Sequence, residues 1–82
     1  MIYPAVLTRD VLGWKLHFPD VPEALTGGAT RQEAIELAAE ALATAMDFYI
    51  AESRPVPVPS LVGEGQVAIK LPPPVVEKIL QA

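Results

Sequence analysis

The chain has 82 residues and no cysteine, which predicts one small domain and excludes both a disulfide framework and a thiolate metal site. The net charge is −4 and the six basic residues are scattered. This argues against direct nucleic-acid binding, because phosphate contacts need clustered lysine and arginine. An acidic domain suits a basic protein partner, although the same charge also simply favours solubility. Hydrophobic residues make up 51% of the chain, more than a core this small can hide, so we expect some apolar surface to form an interface.

Neither a membrane span nor a secretory signal is expected. Charges or prolines interrupt every apolar stretch well short of the ~18 residues that a membrane helix needs. The N-terminal sequence Met1-Ile2-Tyr3-Pro4 lacks the basic region and the apolar core of a signal peptide. The sequence therefore predicts a cytoplasmic protein.

Two strands joined by a short turn are predicted at the start of the chain. Residues 2–8 are mostly apolar and predict a strand in which the nitrogen of Pro4 faces an open edge or the strand start. Residues 9–13 predict a turn, since they include Asp10 and Gly13. Residues 14–18 alternate with period two, which places Trp14, Leu16 and Phe18 on one face. Together these segments predict a β-hairpin.

The segment that follows predicts a break and then a third, short strand. Two prolines within residues 19–22 disfavour regular ladder bonding. Residues 25–30 are compatible with a short strand, with Gly27 and Gly28 marking a bulge or a turn.

One long helix is predicted from Arg31 to about Glu52, opened by a T-x-x-E capping box of Thr30 and Glu33. Phe48 widens its apolar face, Leu37 and Met46 flank that face as partly covered residues, and acidic side chains lie opposite. The residues that recur at helical spacing on the apolar face are Ala34, Ile35, Ala38, Ala41, Leu42, Ala45 and Tyr49, and the acidic residues opposite are Glu36, Glu40 and Asp47.

The remaining segments predict a proline-rich linker over 53–65, a fourth strand over 66–71 and a short helix over 75–82. A helix of ~8 residues is unstable alone, so it either docks on the domain or belongs to a longer segment. The fold class is therefore α+β: two layers, a mostly antiparallel sheet with one long helix on one face (β-β-β-α-β, partly ribonuclease H-like) and a short C-terminal helix. The other sheet face has nothing to cover it, so we expect a partner there.

No catalytic, cofactor-binding or metal-binding residue is predicted. His17 is the only histidine and lies mid-strand, which favours an exposed or interfacial role. A serine nucleophile paired with His17 would have to be Ser53 or Ser60, and both lie in the linker with no orienting motif. A ribonuclease H-like nuclease would need carboxylates on the central strands, whereas Asp10 and Asp20 lie outside them.

Several short motifs occur together in this chain. Residues 3–6 read YPAV, residues 13–22 read GWKLHFPDVP, residues 26–30 read TGGAT, and Glu33-Ala34 open the helix. In this combination the sequence, over roughly residues 1–71, resembles the HicB antitoxins of bacterial and archaeal toxin–antitoxin pairs. The family commonly has glycine after its F-P-D-x-P segment, where this chain has Glu23.

The resemblance implies a partner and a role. The partner would be HicA, a small basic ribonuclease toxin that cleaves mRNA, and the domain would neutralise it by covering its active or RNA-binding surface. Asp20 and Glu23 are the candidate partner contacts, and the alternative for Asp20 is a cap on its own turn.

The resemblance also implies how the chain is organised. Residues 1–71 would form the toxin-binding domain, and 72–82 would begin an extension towards a DNA-binding, autorepressing domain that is not in this chain. A dimer or tetramer is expected, with no cofactor. Two rival functions stay open: a homo-oligomeric interaction module without a toxin, and a ribonuclease H-like nuclease.

Overall fold

A computed structural model describes residues 1–81 and confirms the α+β class. Four strands form one antiparallel sheet in the order β3-β2-β1-β4, accompanied by one long and one short helix. The elements are β1 (Ile2–Asp10), β2 (Gly13–Phe18), β3 (Val21–Gly28), α1 (Arg31–Ala51), β4 (Val67–Lys70) and α2 (Pro73–Gln81). The last helix begins two residues before its predicted start, and Ala82, at its predicted end, lies outside the described residues.

The predicted hairpin of β1 and β2 is confirmed, with a turn at Val11 and Leu12 that is tighter than predicted. Asp10 Oδ1 accepts a hydrogen bond from the Leu12 N–H at 2.9 Å, which closes the turn through a side chain. Leu16 and Phe18 face the core as predicted, each about 1% exposed, and Trp14 is half-buried on the same face.

Pro4 lies in a central strand, not at an edge of the sheet, because β1 pairs with β4 on one side and β2 on the other. The Leu71 N–H donates to the Met1 carbonyl at 2.9 Å, and bonded positions of an antiparallel ladder recur at every second residue. Pro4, opposite Ala68, is therefore at a non-bonded position towards β4. Pairing with β2 starts only at Val6, so the missing N–H disrupts neither ladder.

The predicted break at Val21 and Pro22 is wrong. The turn is confined to Pro19 and Asp20, and Val21 and Pro22 already belong to β3. The reason is that β3 is an edge strand with a locally irregular register: His17 pairs with Leu25, but Phe18 pairs with Val21. A proline is tolerated at such a position since no ladder bond depends on its nitrogen.

Helix α1 ends as predicted and begins at the predicted cap. The Glu33 N–H donates to Thr30 Oγ1 at 3.1 Å, and the Glu33 carboxylate accepts from the Ala29 N–H at 3.3 Å, one residue earlier than the standard capping box places this bond. The residues of α1 that face the sheet are Ala34, Ala38, Leu42, Ala45, Met46 and Tyr49.

Two expectations about α1 are wrong. Met46 is fully buried and not partly covered, whereas Phe48 is 56% exposed and does not widen the buried face. Both follow from the position of the buried stripe on α1: it is centred near Leu42 and Tyr49, it includes Met46, and Phe48 lies to one side of it.

The linker and α2 close the other end of the domain. Tyr3, buried in the core, donates its hydroxyl to the Pro57 carbonyl at 2.6 Å. In α2, Val75 is buried and Lys78 Nζ lies 3.6 Å from Asp47 Oδ1 of α1. The short helix is therefore docked on the domain, which provides the packing that it needs. Among residues 1–81 no helix is long and apolar enough to cross a membrane.

Candidate protein-binding surface

A shallow groove runs between the edge strand β3 and helix α1, and we call it the β3–α1 groove. Its apolar side chains come from both elements and are strongly exposed: Leu25 is 68% exposed, Phe48 56% and Leu37 40%. Its remaining lining is Glu23, Thr26, Glu40, Ala41, Thr44 and Ala45. Exposed apolar side chains grouped in a concave surface are typical of protein-binding sites.

The spacing along α1 explains why the helix forms one wall of this groove. Leu37, Ala41, Thr44 and Phe48 follow one another at intervals of four, three and four residues, which places them in a single stripe beside the buried stripe. The small side chains in the middle leave a depression between the two large ones.

One end of the groove is fixed by a polar cluster around Glu23. The Tyr49 hydroxyl donates to Glu23 Oε1 at 2.6 Å, and Arg54 Nη2 lies 2.9 Å from Glu23 Oε2. The Arg54 guanidinium also lies over the Tyr49 ring, 4.3 Å from its centroid. The hydrogen bond from Tyr49 is the main cause that lowers the pKa of Glu23, and the same bond is the main cause that raises the pKa of Tyr49.

Asp20 binds the linker and not its own turn, so the predicted turn cap is wrong. Its Oδ2 accepts from the Ser60 N–H and its Oδ1 accepts from the Ser60 hydroxyl, both at 2.7 Å. Asp20 and Glu23 thus lie on either side of the start of β3 and tie it to the linker and to α1, respectively. Their predicted contact with a partner stays a prediction.

The uncovered sheet face differs in charge from the groove. Alternation along the strands puts Lys15 and His17 of β2 and Lys70 of β4 on the side away from the buried residues of their strands. His17 is flanked by Val6 and Leu25 on the neighbouring strands. Within residues 1–81, no three histidine or carboxylate side chains lie close enough together to hold a metal ion.

Comparison with known proteins identifies the family. The model of the family described as "HicB_like antitoxin of bacterial toxin-antitoxin system" matches residues 2–80, nearly the whole chain. The chain belongs to the HicB-like antitoxin family. Antitoxin HicB 2 of Photorhabdus laumondii subsp. laumondii is 48% identical to this HicB-like chain over 80 residues, which cover 98% of the chain and 56% of that relative.

Another relative and two solved structures also carry the HicB name. Antitoxin HicB of Escherichia coli K12 is 42% identical over 81 residues, covering 98% of this chain and 59% of the relative. A chain of the HicA3 and HicB3 toxin-antitoxin complex superposes with a TM-score of 0.72 at 26% identity, covering 89% of this chain and 100% of that one. The crystal structure of antitoxin HicB3 gives a TM-score of 0.67 at 27% identity, covering 89% of this chain and 63% of that one. This HicB-like chain spans little more than half the length of these two curated relatives.

The groove of this HicB-like chain was not predicted from the sequence. Phe48 was expected on the buried face, Leu37 on its flank, and Leu25 only at the start of a strand. The available signal was the second apolar stripe of α1, in which Leu37 and Phe48 lie eleven residues apart, close to three full helical turns.

Proposed function

We propose that this HicB-like chain is an antitoxin that binds and neutralises a HicA-like, mRNA-cleaving ribonuclease toxin, and that it has no catalytic role. The observation that carries the proposal is the 0.72 TM-score, over 89% of this chain, with a chain of the HicA3 and HicB3 complex. That solved structure is a toxin together with its antitoxin, and this chain has the same fold as the chain it matches.

Neutralisation proceeds by steric occlusion. An interface of ~1,600 Å² covers the active or RNA-binding surface of a small toxin without any chemistry. The net charge of −4 speeds association with a basic toxin. Asp20 and Glu23 contribute carboxylates to this interface in the proposal, and the internal bonds that they make would hold both carboxylates in fixed positions.

The proposal extends to the whole protein. Residues 1–71 form the toxin-binding domain, and 72–82 begin an extension that leads to a DNA-binding domain, through which the full-length antitoxin represses its own operon. The natural protein is a cytoplasmic dimer or tetramer. The curated relatives have room for such a domain, since this chain covers 56–59% of their length.

Co-expression tests the proposed function. The chain is expressed together with a small HicA-like toxin, and growth and co-purification are measured. We expect the chain to restore growth and to co-purify with the toxin in a defined ratio. Toxicity that persists at full expression of a folded chain, with no complex, would contradict the proposal.

A further inference from the structure

We infer that the β3–α1 groove is the surface that receives the toxin: a basic partner inserts an apolar side chain between Leu25, Leu37 and Phe48 and sets its cationic groups against Glu23 and Glu40. This inference rests on the proposed function and names the surface that performs it. The groove joins exposed apolar side chains with an acidic rim, and its lining residues include two carboxylates and no lysine, arginine or histidine.

The charges favour binding of a basic partner in the groove rather than on the uncovered sheet face. That face presents Lys15, His17 and Lys70. Lys15 lies 3.4 Å from Asp10, and within residues 1–81 Lys70 takes part in no ion pair, so its positive charge disfavours a basic protein on this face. In the groove, Arg54 partly neutralises Glu23 at 2.9 Å, but within residues 1–81 Glu40 takes part in no ion pair. Glu40 is also exposed, so its charge is available to an incoming cation.

The same features disfavour a second copy of this chain as the occupant. Two copies meeting groove to groove would bring their acidic rims together, and like charges across an interface oppose association. Strand-to-strand pairing through β3 is hindered as well, because Pro22 and the irregular register opposite Phe18 interrupt the edge. Such features protect edge strands from pairing with another chain.

Matched substitutions test the inference with the 82-residue chain and a HicA-like toxin, the partner of the proposed function. Glu40→Lys reverses a rim charge, and Glu64→Lys makes the same change in an exposed turn before β4, at the opposite edge of the sheet. Leu25→Thr removes an apolar contact and retains strand propensity, and Leu61→Thr makes the same change in the linker, at a side chain that is 95% exposed. All four residues are exposed, and circular dichroism checks that each variant is folded.

The dissociation constant measured by calorimetry gives the outcome. We expect Glu40→Lys and Leu25→Thr each to raise it about tenfold or more, and the two control variants to change it about twofold or less. If the wild-type chain binds and the groove variants bind as tightly, or if both lysine variants lose the same affinity, the groove is not the docking surface, whereas the proposed function survives.

Two other results would overturn the inference in different ways. If the wild-type chain does not bind the toxin at all, the proposed function fails together with it. If sedimentation shows that the groove variants dissociate an oligomer of the free chain and leave toxin binding intact, the occupant of the groove is a second copy.

Discussion

Gly28→Ala is expected to destabilise the domain because β3 and α1 approach each other too closely for a methyl group. A Cβ atom at Gly28 would lie 2.8 Å from Glu33 Cβ and 2.9 Å from the backbone nitrogen of Ala34. The second contact is the more serious, because backbone in the first turn of a helix cannot rotate away. The start of α1 would have to move off the sheet.

The magnitude follows from two opposing effects. Overpacking costs about 1–3 kcal/mol, and replacing a glycine returns about 0.4–1 kcal/mol through the lower entropy of the unfolded chain. We therefore expect a net loss of about 1–2 kcal/mol. The total stability of a domain of this size is about 4–12 kcal/mol, so the loss is readily measured.

Urea unfolding followed by circular dichroism measures this loss, with Gly63→Ala as the matched control. A Cβ at Gly63 would come closest to the side-chain oxygen of Gln66, at 3.1 Å, and a flexible side chain can move away. The control should change stability by about 0.5 kcal/mol or less, with equal dependence on urea in all three proteins. If Gly28→Ala is as stable as Gly63→Ala, the close approach does not constrain the fold.

Three further changes probe the core, the polar cluster and the linker. Leu42→Ala should lower the free energy of unfolding by about 2–5 kcal/mol, because Leu42 is fully buried under the sheet; a loss no larger than that of the exposed Leu61→Ala would contradict this packing. The lowered folded-state pKa of Glu23 means that its contribution to stability is complete above its ordinary value of 4.5 and is lost as the pH falls through the lowered pKa. The Glu23→Gln variant should therefore lose less stability than the wild type in that acid range. If the free energies of unfolding of the two proteins change with pH in parallel, Glu23 does not make this contribution. Asp20→Ala removes both hydrogen bonds to Ser60 and should accelerate amide hydrogen exchange at Ser60; an unchanged rate would mean that Asp20 does not hold the linker.

Elements that depend on local patterns were predicted well from the sequence. Period-two alternation identified β2 and its buried face, because a strand with one covered face repeats every two residues. The Thr30 and Glu33 pair identified the start of α1, because its capping bonds are formed within a few residues. The family resemblance was confirmed as well, since its motifs lie in these same locally determined segments.

Features that depend on the tertiary arrangement were not predicted. Pro22 was expected to break the strand, but the effect of a proline depends on whether the strand is central or at an edge, which only the strand order determines. Met46 and Phe48 both border the apolar stripe of α1, and only the packing of the helix on the sheet shows that Met46 is buried and Phe48 exposed. The β3–α1 groove combines Leu25 with Leu37 and Phe48, which are distant in sequence, so no local pattern could bring them together.

Inhibition of RNA cleavage is the most direct test of the claim that this chain acts by covering a toxin. The proposed partner, a HicA-like toxin, is mixed with an RNA substrate, and cleavage is measured as the purified chain is added. We expect cleavage to fall to background when the chain matches the toxin in a fixed stoichiometric ratio, with the chain alone leaving the RNA intact. Full cleavage in the presence of a saturating, folded chain would contradict the account.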